Sequence, residues 1–250
     1  MTHPVVVKAS DIVKDLGEGA GQVRALDGVS LTLHAGELTI LMGPSGSGKT
    51  TLLSILCCIL SPTSGSVEIA GHRVDGLGPE ELAELRRRHV GFVFQSYNLF
   101  PTLTAIENVR LALDVRGASA PETVIKGETA LREVGLGHRL ASYPRNLSGG
   151  EQQRVAVARA LAGAPEVILA DEPTAALDSE NGHAVMELLA RIAKENGRAI
   201  LAVTHDPRTH AFADRIIRIE DGRIVGEERQ AEAHKKVARY DLTRRRKAHG

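Results

Sequence analysis

The chain has 250 residues, of which 42% are hydrophobic, and its 31 basic residues balance its 31 acidic residues. This length and apolar content allow one large domain or two small ones with a complete core. The balanced charge gives no reason to expect a nucleic-acid partner. The N-terminus lacks the apolar stretch of a signal peptide, and the longest apolar run, 52–60, is too short to cross a bilayer. We therefore expect a cytosolic protein, or one held at a membrane only through a partner.

The first forty residues are predicted to form short strands separated by glycines. Apolar runs occur at 5–7, 23–26 and 29–33, and a fourth run at 38–42 leads directly into a glycine-rich segment. Short runs of this kind with turn residues between them are typical of an antiparallel sheet. We therefore expect an N-terminal antiparallel β-subdomain.

The glycine-rich segment reads Gly-Pro-Ser-Gly-Ser-Gly-Lys-Thr and fits the phosphate-loop pattern G-x-x-x-x-G-K-[ST] at every position. It stands between a strand and a predicted helix over 51–60, which is the context that the motif requires. Its glycines let backbone N–H groups turn toward phosphate oxygens. The Lys49 ammonium can reach the β- and γ-phosphates, and the Thr50 hydroxyl can bind Mg²⁺. The candidate nucleotide-binding residues here are Gly43, Pro44, Ser45, Gly46, Ser47, Gly48, Lys49, Thr50 and Thr51.

The two cysteines, Cys57 and Cys58, are neighbours in this predicted helix. Adjacent helical side chains point about 100° apart, so a disulfide between them is geometrically poor. We interpret them as two small buried hydrophobic residues in a reducing compartment.

Strands and helices alternate through the rest of the chain. The predicted strands are 66–70, 89–95, 167–170 and 199–203, and the predicted helices are 79–88, 104–115, 121–134, 149–162 and 179–195. This alternation indicates a parallel sheet, and Asp221-Gly222 predicts a hairpin of 215–220 with 223–228. We therefore expect an α/β nucleotide-binding domain over 1–228, with a mixed central sheet and a helical subdomain inserted at 96–160.

Polar residues follow several of the buried strands. Asp171 and Glu172 end the strand at 167–170, where the first carboxylate can bind Mg²⁺ and the second can accept a proton from an attacking water. Gln95 and His205 stand at the ends of two other strands. A lone glutamine or histidine there is more often structural, but ligands bind at the carboxyl edge of an open parallel sheet. We therefore treat all four residues as candidate site residues.

A second helix start also has the composition of an anion site. The sequence Leu-Ser-Gly-Gly-Glu-Gln-Gln-Arg at 147–154 places Ser148, Gly149 and Gly150 where the helix predicted at 149–162 begins. Ser-Gly-Gly opening a helix favours an anion for the same reason as the phosphate loop does. One chain thus has two phosphate-binding helix starts and one set of residues for nucleotide hydrolysis.

With these motifs, the chain resembles the ATP-binding subunit of an ABC transporter. That resemblance implies a fold of the P-loop NTPase class. The resemblance covers residues 5 to about 228, with the motifs in the family's order. It implies ATP and Mg²⁺ as cofactors and ATP hydrolysis to ADP and phosphate as the activity. It also implies a head-to-tail pair of copies, in which ATP lies between the phosphate loop of one copy and Ser148, Gly149 and Gly150 of the other.

The same resemblance implies a role for each candidate residue. Glu172 would polarise the attacking water, and His205 would contact the γ-phosphate. Gln95 would complete the shell of water and metal, and Asp178 would link the two sites across the dimer. Mg²⁺ would be held by Thr50, Gln95 and Asp171, and the catalytic group would be Lys49, Gln95, Glu172 and His205. Closing the dimer would position the reactants, and hydrolysis would release the halves.

One position departs from the family pattern. ABC ATPases usually stack an aromatic residue on the adenine, often within Lys-x-Tyr-Gly, whereas the matching stretch 14–17 has Leu16 at that position. A leucine covers the base without offering a π-face. We therefore expect weaker nucleotide affinity and a looser preference for the base.

Segments 94–101, 103–109 and 171–178 further resemble ATPases of bacterial lipoprotein-releasing, macrolide-exporting and glycolipid-exporting systems. That resemblance implies a peripheral position on the cytoplasmic face of the inner membrane. Residues 96–115 would contact a separate membrane permease, which would reach a periplasmic adaptor. The alternative is that these residues only pack the helical subdomain.

The leading prediction is an ATPase subunit that energises export or extraction of a substrate through the permease. The alternative is an ABC ATPase without a transport role, which drives a membrane-embedded regulator of cell-envelope or cell-division enzymes. DNA-repair relatives would need long coiled coils or zinc-binding cysteines, and translation-associated relatives would need two tandem ATPase domains. The sequence shows neither feature, which argues against both classes. The basic tail at 229–250 is predicted to be solvated, or to contact anionic lipid or an acidic partner.

Overall fold

The computed structural model describes residues 3–229, and its N-terminal part forms a four-stranded antiparallel sheet. The strands are β1 (Val5–Leu16), β2 (Val23–His34), β4 (Ser64–Ile69) and β5 (His72–Arg73), in the order β2-β1-β4-β5. The predicted antiparallel sheet is confirmed, but the three short strands predicted before residue 34 are wrong. Two strands of 12 residues replace them, and a register shift near Gly28, whose φ is +75°, absorbs the glycine inside β2.

The second sheet has six strands and is mixed, as predicted. Its order is β10-β9-β3-β8-β7-β6. The strands are β3 (Leu38–Met42), β6 (Val90–Val93), β7 (Val167–Asp171), β8 (Ala199–Val203), β9 (Arg215–Glu220) and β10 (Arg223–Arg229). Strands β3 and β6 to β9 pair in parallel, whereas β10 pairs antiparallel with β9 through the predicted hairpin.

Six α-helices connect or cover these strands within residues 3–229. They are α1 (Lys49–Leu56), α2 (Pro79–His89), α3 (Ala105–Val115), α4 (Ala120–Glu133), α5 (Gly149–Leu161) and α6 (Ser179–Asn196). The capping box predicted from Thr104 and Glu107 begins α3: the Thr104 N–H donates to Glu107 Oε2 at 2.7 Å.

Helix α1 is shorter than predicted because Cys58, with φ +55°, turns the chain after Leu56. Cys57 and Cys58 are free and buried, which confirms their interpretation as core residues. Burial raises the pKa of the Cys57 thiol to about 12 and that of the Cys58 thiol to about 11.

The central sheet is covered on both faces. Along β7, Val167 and Leu169 belong to the core shared with the antiparallel sheet and α1, whereas Ile168 and Ala170 belong to the core shared with α3 to α6. Successive side chains of a strand point to opposite faces, so a strand buried on both faces is apolar throughout. This explains why the sequence shows continuous apolar runs rather than alternation at these strands.

Helices α3, α4 and α5 pack against one another, and α5 also contacts β6 and α6. They occupy residues 105–161 and so end one residue beyond the segment 96–160 that we predict as a helical subdomain, whose boundaries stay a prediction. The predicted tail begins at Arg229, the last residue of β10, and its remainder lies outside the described residues. Every helix between residues 3 and 229 is too short or too polar to span a lipid bilayer.

Candidate functional site

The phosphate loop joins β3 to α1 in the predicted strand–loop–helix order. Gly48 has φ +97°, and a Cβ there would lie 2.5 Å from the carbonyl oxygen of Ala25. A Cβ on Gly43 would collide with the carbonyl oxygen of Ile219. Glycine is therefore required at both ends of the loop, because the backbone of two other strands approaches it closely.

Helix α1 begins with its first N–H groups turned toward the loop. Its N-cap residue, Gly48, supplies no side-chain acceptor for them. The ammonium of Lys49 bends back across the loop and donates to the carbonyl oxygens of Gly43 at 2.8 Å and Pro44 at 2.6 Å. The loop thus presents a cation and the positive end of a helix to the same space, which favours a phosphate group.

The carboxylate pair lies at the end of β7, as predicted. Asp171 is the last strand residue, and Glu172 follows with φ +46° while its N–H donates to the Val203 carbonyl oxygen at 2.9 Å. His205 Nδ1 donates to Glu172 Oε1 at 2.8 Å. Burial raises the pKa of Asp171, the neighbouring Glu172 charge raises it further, and Lys49 opposes both effects.

These residues meet in one open cleft of about 740 Å³, a volume typical of small-ligand sites. Gln95, Asp171, Glu172 and His205 line it together with the phosphate-loop residues Gly43, Pro44, Ser45, Gly46, Gly48, Lys49, Thr50 and Thr51. Gln95 and His205 each lie two residues beyond their strands rather than at the strand ends. Ser47 is only 2% exposed and does not line the cleft; its carbonyl oxygen accepts the Gly222 N–H at 3.1 Å.

The far side of the cleft is formed by residues that the sequence analysis missed, except for Leu16. Leu16 and Val23 pair across the β1–β2 hairpin, and Arg24 and Ala25 continue this wall. The Leu16 and Val23 residues are 40% and 64% exposed. Arg24 is held by Asp15 through bonds of 2.9 and 3.2 Å. Only the strand register brings β2 beside Leu16, so no local motif pointed to Val23, Arg24 or Ala25.

The second predicted anion site lies at the start of α5 and does not line this cleft. The Ser148 N–H donates to Glu151 Oε2 at 2.8 Å, and Ser148 Oγ accepts the Glu151 N–H at 3.2 Å. These bonds form a capping box. A Cβ on Gly150 would collide with the Asn181 side chain, so this glycine lets α5 pack closely against α6.

Asp178 caps α6 on the other side of this contact. Its carboxylate accepts the Asn181 N–H at 2.9 Å and the Asn181 side-chain amide at 2.7 Å. These two bonds lower the pKa of Asp178, the backbone bond having the larger effect. Asn181 therefore lies between Asp178 and the start of α5, and it places the two segments side by side on one surface.

The segment 96–115 combines packed and exposed aromatic residues. The Tyr97 hydroxyl donates to the Ala176 carbonyl oxygen at 3.3 Å, and Arg159 donates to the Tyr97 carbonyl oxygen at 2.8 Å. Phe100, in contrast, is 50% exposed, and the preceding Phe94 is 38% exposed. Part of the segment thus supports the helices, and part of it presents an apolar surface.

The fold and the cleft define a phosphate-loop nucleotide-binding protein with residues suited to hydrolysis. Residues 26–175 match the family model described as ABC transporter. The chain therefore belongs to the ABC transporter family, as its ATP-hydrolysing ATP-binding cassette.

The chain is similar to proteins of about its own length and to much longer ones. The chain is 48% identical to an uncharacterized ABC transporter ATP-binding protein of Thermotoga maritima, covering 90% of this chain and 96% of that protein. It is 46% identical to the macrolide export ATP-binding/permease protein MacB of Hyphomonas neptunium, covering 90% of this chain but 35% of that protein. The chain thus spans about a third of the length of the macrolide export relatives that it matches.

Solved structures share the fold. A dimeric post-hydrolysis state of the cassette MJ0796, bound to ADP and phosphate, has a TM-score of 0.80 and 44% identity. The match covers 89% of this chain and 98% of that chain. CbiO1 from Clostridium perfringens, part of the transporter complex cbiONQ, has a TM-score of 0.81 and 26% identity, with 98% and 94% covered.

Proposed function

We propose that this chain works as one of two copies in a head-to-tail dimer whose ATP hydrolysis drives export or extraction of a substrate through a separate membrane permease. One observation carries the catalytic part: the phosphate loop, the carboxylates after β7, Gln95 and His205 share a single cleft. The dimeric ADP- and phosphate-bound cassette MJ0796, at 44% identity, supports the dimer.

In this proposal Glu172 is the general base. Its carboxylate is 16% exposed, and the bond from His205 Nδ1 fixes one of its oxygens. Glu172 Oε2 is then left to accept a proton from the water that attacks the γ-phosphorus, while the bond from that phosphorus to the bridging oxygen of ADP breaks. The His205 ring is 72% exposed, so its other nitrogen, Nε2, can face the γ-phosphate and stabilise the charge that develops there while Nδ1 keeps its bond to Glu172.

The cleft also fits Mg²⁺. Asp171 is a half-buried carboxylate beside a second carboxylate, and both effects raise its pKa. Such a pair favours an additional cation. Thr50 and Asp171 offer the oxygen ligands that Mg²⁺ prefers, and Gln95 lies in the same cleft. We propose that these three residues hold the ion, which when bound would offset charge on the β- and γ-phosphate oxygens.

The proposal assigns the open side of the cleft to the second copy. Ser148, Gly149 and Gly150 are not among the described residues that line the cleft of their own chain. Their place at the start of α5 suits them to receive a phosphate presented by another molecule. Asp178 lies beside them through Asn181 and would contact the partner copy at the same interface.

The proposed permease contact is the segment 96–115, where Phe100 exposes an apolar side chain next to helix α3. The matched macrolide export proteins carry both ATP-binding and permease functions in their names. This chain would supply the ATP-binding part from the cytoplasmic face of a bacterial inner membrane. Any periplasmic adaptor would act through the permease rather than through this chain.

The test is Glu172→Gln, which removes the base but keeps the shape of the side chain. We expect steady-state ATP hydrolysis to fall about 10²- to 10⁴-fold, with ATP binding retained and a dimer trapped by ATP in size-exclusion chromatography. Glu166→Gln is the matched control, because Glu166 lies before the other end of β7 and pairs with His89 outside the cleft. Turnover retained in Glu172→Gln would contradict the assignment of the base.

A further inference from the structure

A second set of polar contacts involves the residues that directly follow His205 in the chain. Arg208 is the second residue of the 3-10 turn Pro207–Phe212 that follows the loop of His205, and three of its N–H groups bind the Asp206 carboxylate. Arg208 Nε donates to Asp206 Oδ2 at 2.9 Å, Nη2 donates to the same oxygen at 2.7 Å, and the Arg208 backbone N–H donates to Oδ1 at 2.9 Å. These bonds hold the pKa of Asp206 below its ordinary value.

Asp206 in turn fixes the backbone next to His205. The Asp206 N–H donates to Oγ1 of Thr204 at 3.0 Å, and Thr204 is completely buried. The position of Asp206 therefore determines where the loop leaves the central sheet. Because His205 stands between these two residues, its backbone has little freedom to move while Arg208 holds Asp206.

The same guanidinium reaches across to another loop. Arg208 Nη1 donates to Ser179 Oγ at 2.5 Å. Ser179 is the first residue of α6 and follows Asp178, the residue that caps that helix. One side chain thus bridges the loop of His205 and the loop of Asp178, and a small cavity of about 130 Å³ lies between them.

We propose that Arg208 is a positioning residue for ATP hydrolysis, which fixes the loop of His205 relative to the loop of Asp178. The inference rests on the proposed function, because it takes His205 as a γ-phosphate contact and Asp178 as a contact to the second copy. Both loops must be in place when the dimer closes. A bridge that orders them beforehand removes the entropy cost of ordering them at that moment.

The bridge is separate from the packing that keeps the turn in place. The His183 ring on α6 meets the Phe212 ring edge to face, with centroids 4.5 Å apart, and Phe212 is buried. Arg208, in contrast, is 68% exposed. Loss of the guanidinium should therefore free the two loops from each other without removing the 3-10 turn from α6.

The experiment compares ATP hydrolysis by the full chain with that of Arg208→Ala, Ser179→Ala and the double variant. We expect each single change to lower kcat about tenfold, as the loss of a charge-assisted bond does when it acts in the transition state, with KM unchanged. The double variant should be no slower than Arg208→Ala, because both changes remove the same bridge. Arg208→Lys should lower kcat as much as Ser179→Ala does, since one ammonium can hold Asp206 but cannot also reach Ser179.

The matched control is Arg73→Ala. Arg73 grips Asp75 with the same two-residue spacing, at 3.3 Å through Nε and 3.0 Å through Nη2, but far from both loops in sequence and fold. Its kcat should equal that of the unaltered chain. If Arg208→Ala fails to fold, Ser179→Ala alone decides the question, since Asp178 rather than Ser179 caps α6.

An unchanged kcat in Ser179→Ala would contradict the proposed role of the bridge. So would a double variant whose loss of kcat equals the product of the two single losses. Glu172→Gln is included in the same assay so that the two proposals fail separately. If Glu172→Gln keeps turning over, the proposed function is wrong. If Glu172→Gln is inactive while the Arg208 and Ser179 variants match the unaltered chain, only the role of the bridge is wrong.

Discussion

Glycines mark the starts of both α1 and α5, before the first helix and as the first two residues of the second, but the two starts differ in how their N–H groups are satisfied. Helix α1 begins after Gly48, which offers no side-chain acceptor, and Lys49 stands beside it. Helix α5 begins after Ser148, which forms a reciprocal capping box with Glu151. The first helix start thus leaves its positive end open, whereas the second already contains a negative charge of its own.

This difference separates two kinds of phosphate contact. An open helix start next to a lysine can bind a nucleotide in a single chain. A helix start that is already capped gains less from an anion, because Glu151 partly neutralises its positive end. We therefore expect α1 to determine the affinity for ATP, and α5 to act only when a second copy brings its nucleotide close enough to complete the contact.

The largest expected effect is on the α1 side. Lys49→Ala removes the cation of the loop and should weaken ATP binding about 100-fold, as loss of a charge-assisted contact to a phosphate does. Titration with a fluorescent ATP analogue measures the change. Lys126→Ala, which removes only an exposed pair with Glu122, is the control. Unchanged affinity in Lys49→Ala would remove the basis for treating α1 as the primary phosphate site.

Ser148→Ala tests the α5 side and should act on a different quantity. We expect kcat to fall about tenfold, while ATP affinity of the single chain stays the same. Thr104→Ala is the control, because Thr104 forms the same capping box at α3 and its loss carries the same cost in helix stability. If Ser148→Ala weakened ATP binding to the single chain, the separation between the two helix starts would be wrong.

A substitution beside the expected adenine position should increase the affinity for ATP rather than lower it. Leu16→Tyr supplies the π-face that the exposed Leu16 and Val23 pair lacks. It should tighten ATP binding about fivefold without changing kcat, since an aromatic contact adds to area burial by a modest amount. Calorimetric titration measures this change. Val225→Tyr adds the same ring at an exposed residue that does not line the cleft, and an equal gain there would show that the effect is not specific to the cleft.

The smallest expected effect is at Glu151. Glu151→Gln removes the negative charge from the start of α5 and should favour ATP-driven dimerisation about twofold, because less repulsion meets the incoming γ-phosphate. It should also lower the thermal midpoint by about 2–4 °C at neutral pH, through the weakened capping box. Sedimentation and thermal unfolding measure the two quantities. Weaker dimerisation would show that the carboxylate supports the interface instead of opposing it.

The pH dependence of this variant has a definite sign. The bond from the Ser148 N–H lowers the pKa of Glu151 in the folded chain, and the charge of Arg139 contributes. The contribution of the Glu151 carboxylate to the free energy of unfolding is therefore present above the ordinary glutamate pKa, and it is lost as pH falls through the lowered pKa of Glu151 in the folded chain. The difference in midpoint between Glu151→Gln and the unaltered chain should accordingly shrink in acid.

Much of the cleft could be predicted because a parallel sheet gathers the residues that follow its strands. Asp171, Gln95 and His205 are far apart in sequence, yet the first ends a strand of one sheet and the other two lie two residues beyond its neighbouring strands, at the same edge. The phosphate loop is local, so its geometry follows from its own residues. The fold class and the family were predicted from the same signals and are confirmed.

The remaining contacts depend on pairings that no local pattern reveals. The register of β1 with β2 places Val23 opposite Leu16, and neither residue type suggests a binding surface by itself. The bridge from Arg208 to Ser179 joins positions 29 residues apart, and it depends on how α6 lies beside the 3-10 turn. Tertiary packing determines such contacts, whereas the individual residues appear ordinary in the sequence.

The two buried cysteines have a practical consequence for watching the cassette work. Their pKa values of about 12 and about 11 keep both thiols protonated at neutral pH, and thiol reagents attack thiolates. A single cysteine introduced at an exposed position such as Ile125, which is 67% exposed, would therefore react selectively with a fluorescent dye. Opening and closing of the dimer could then be followed by energy transfer between two dyes, with both native cysteines left in place.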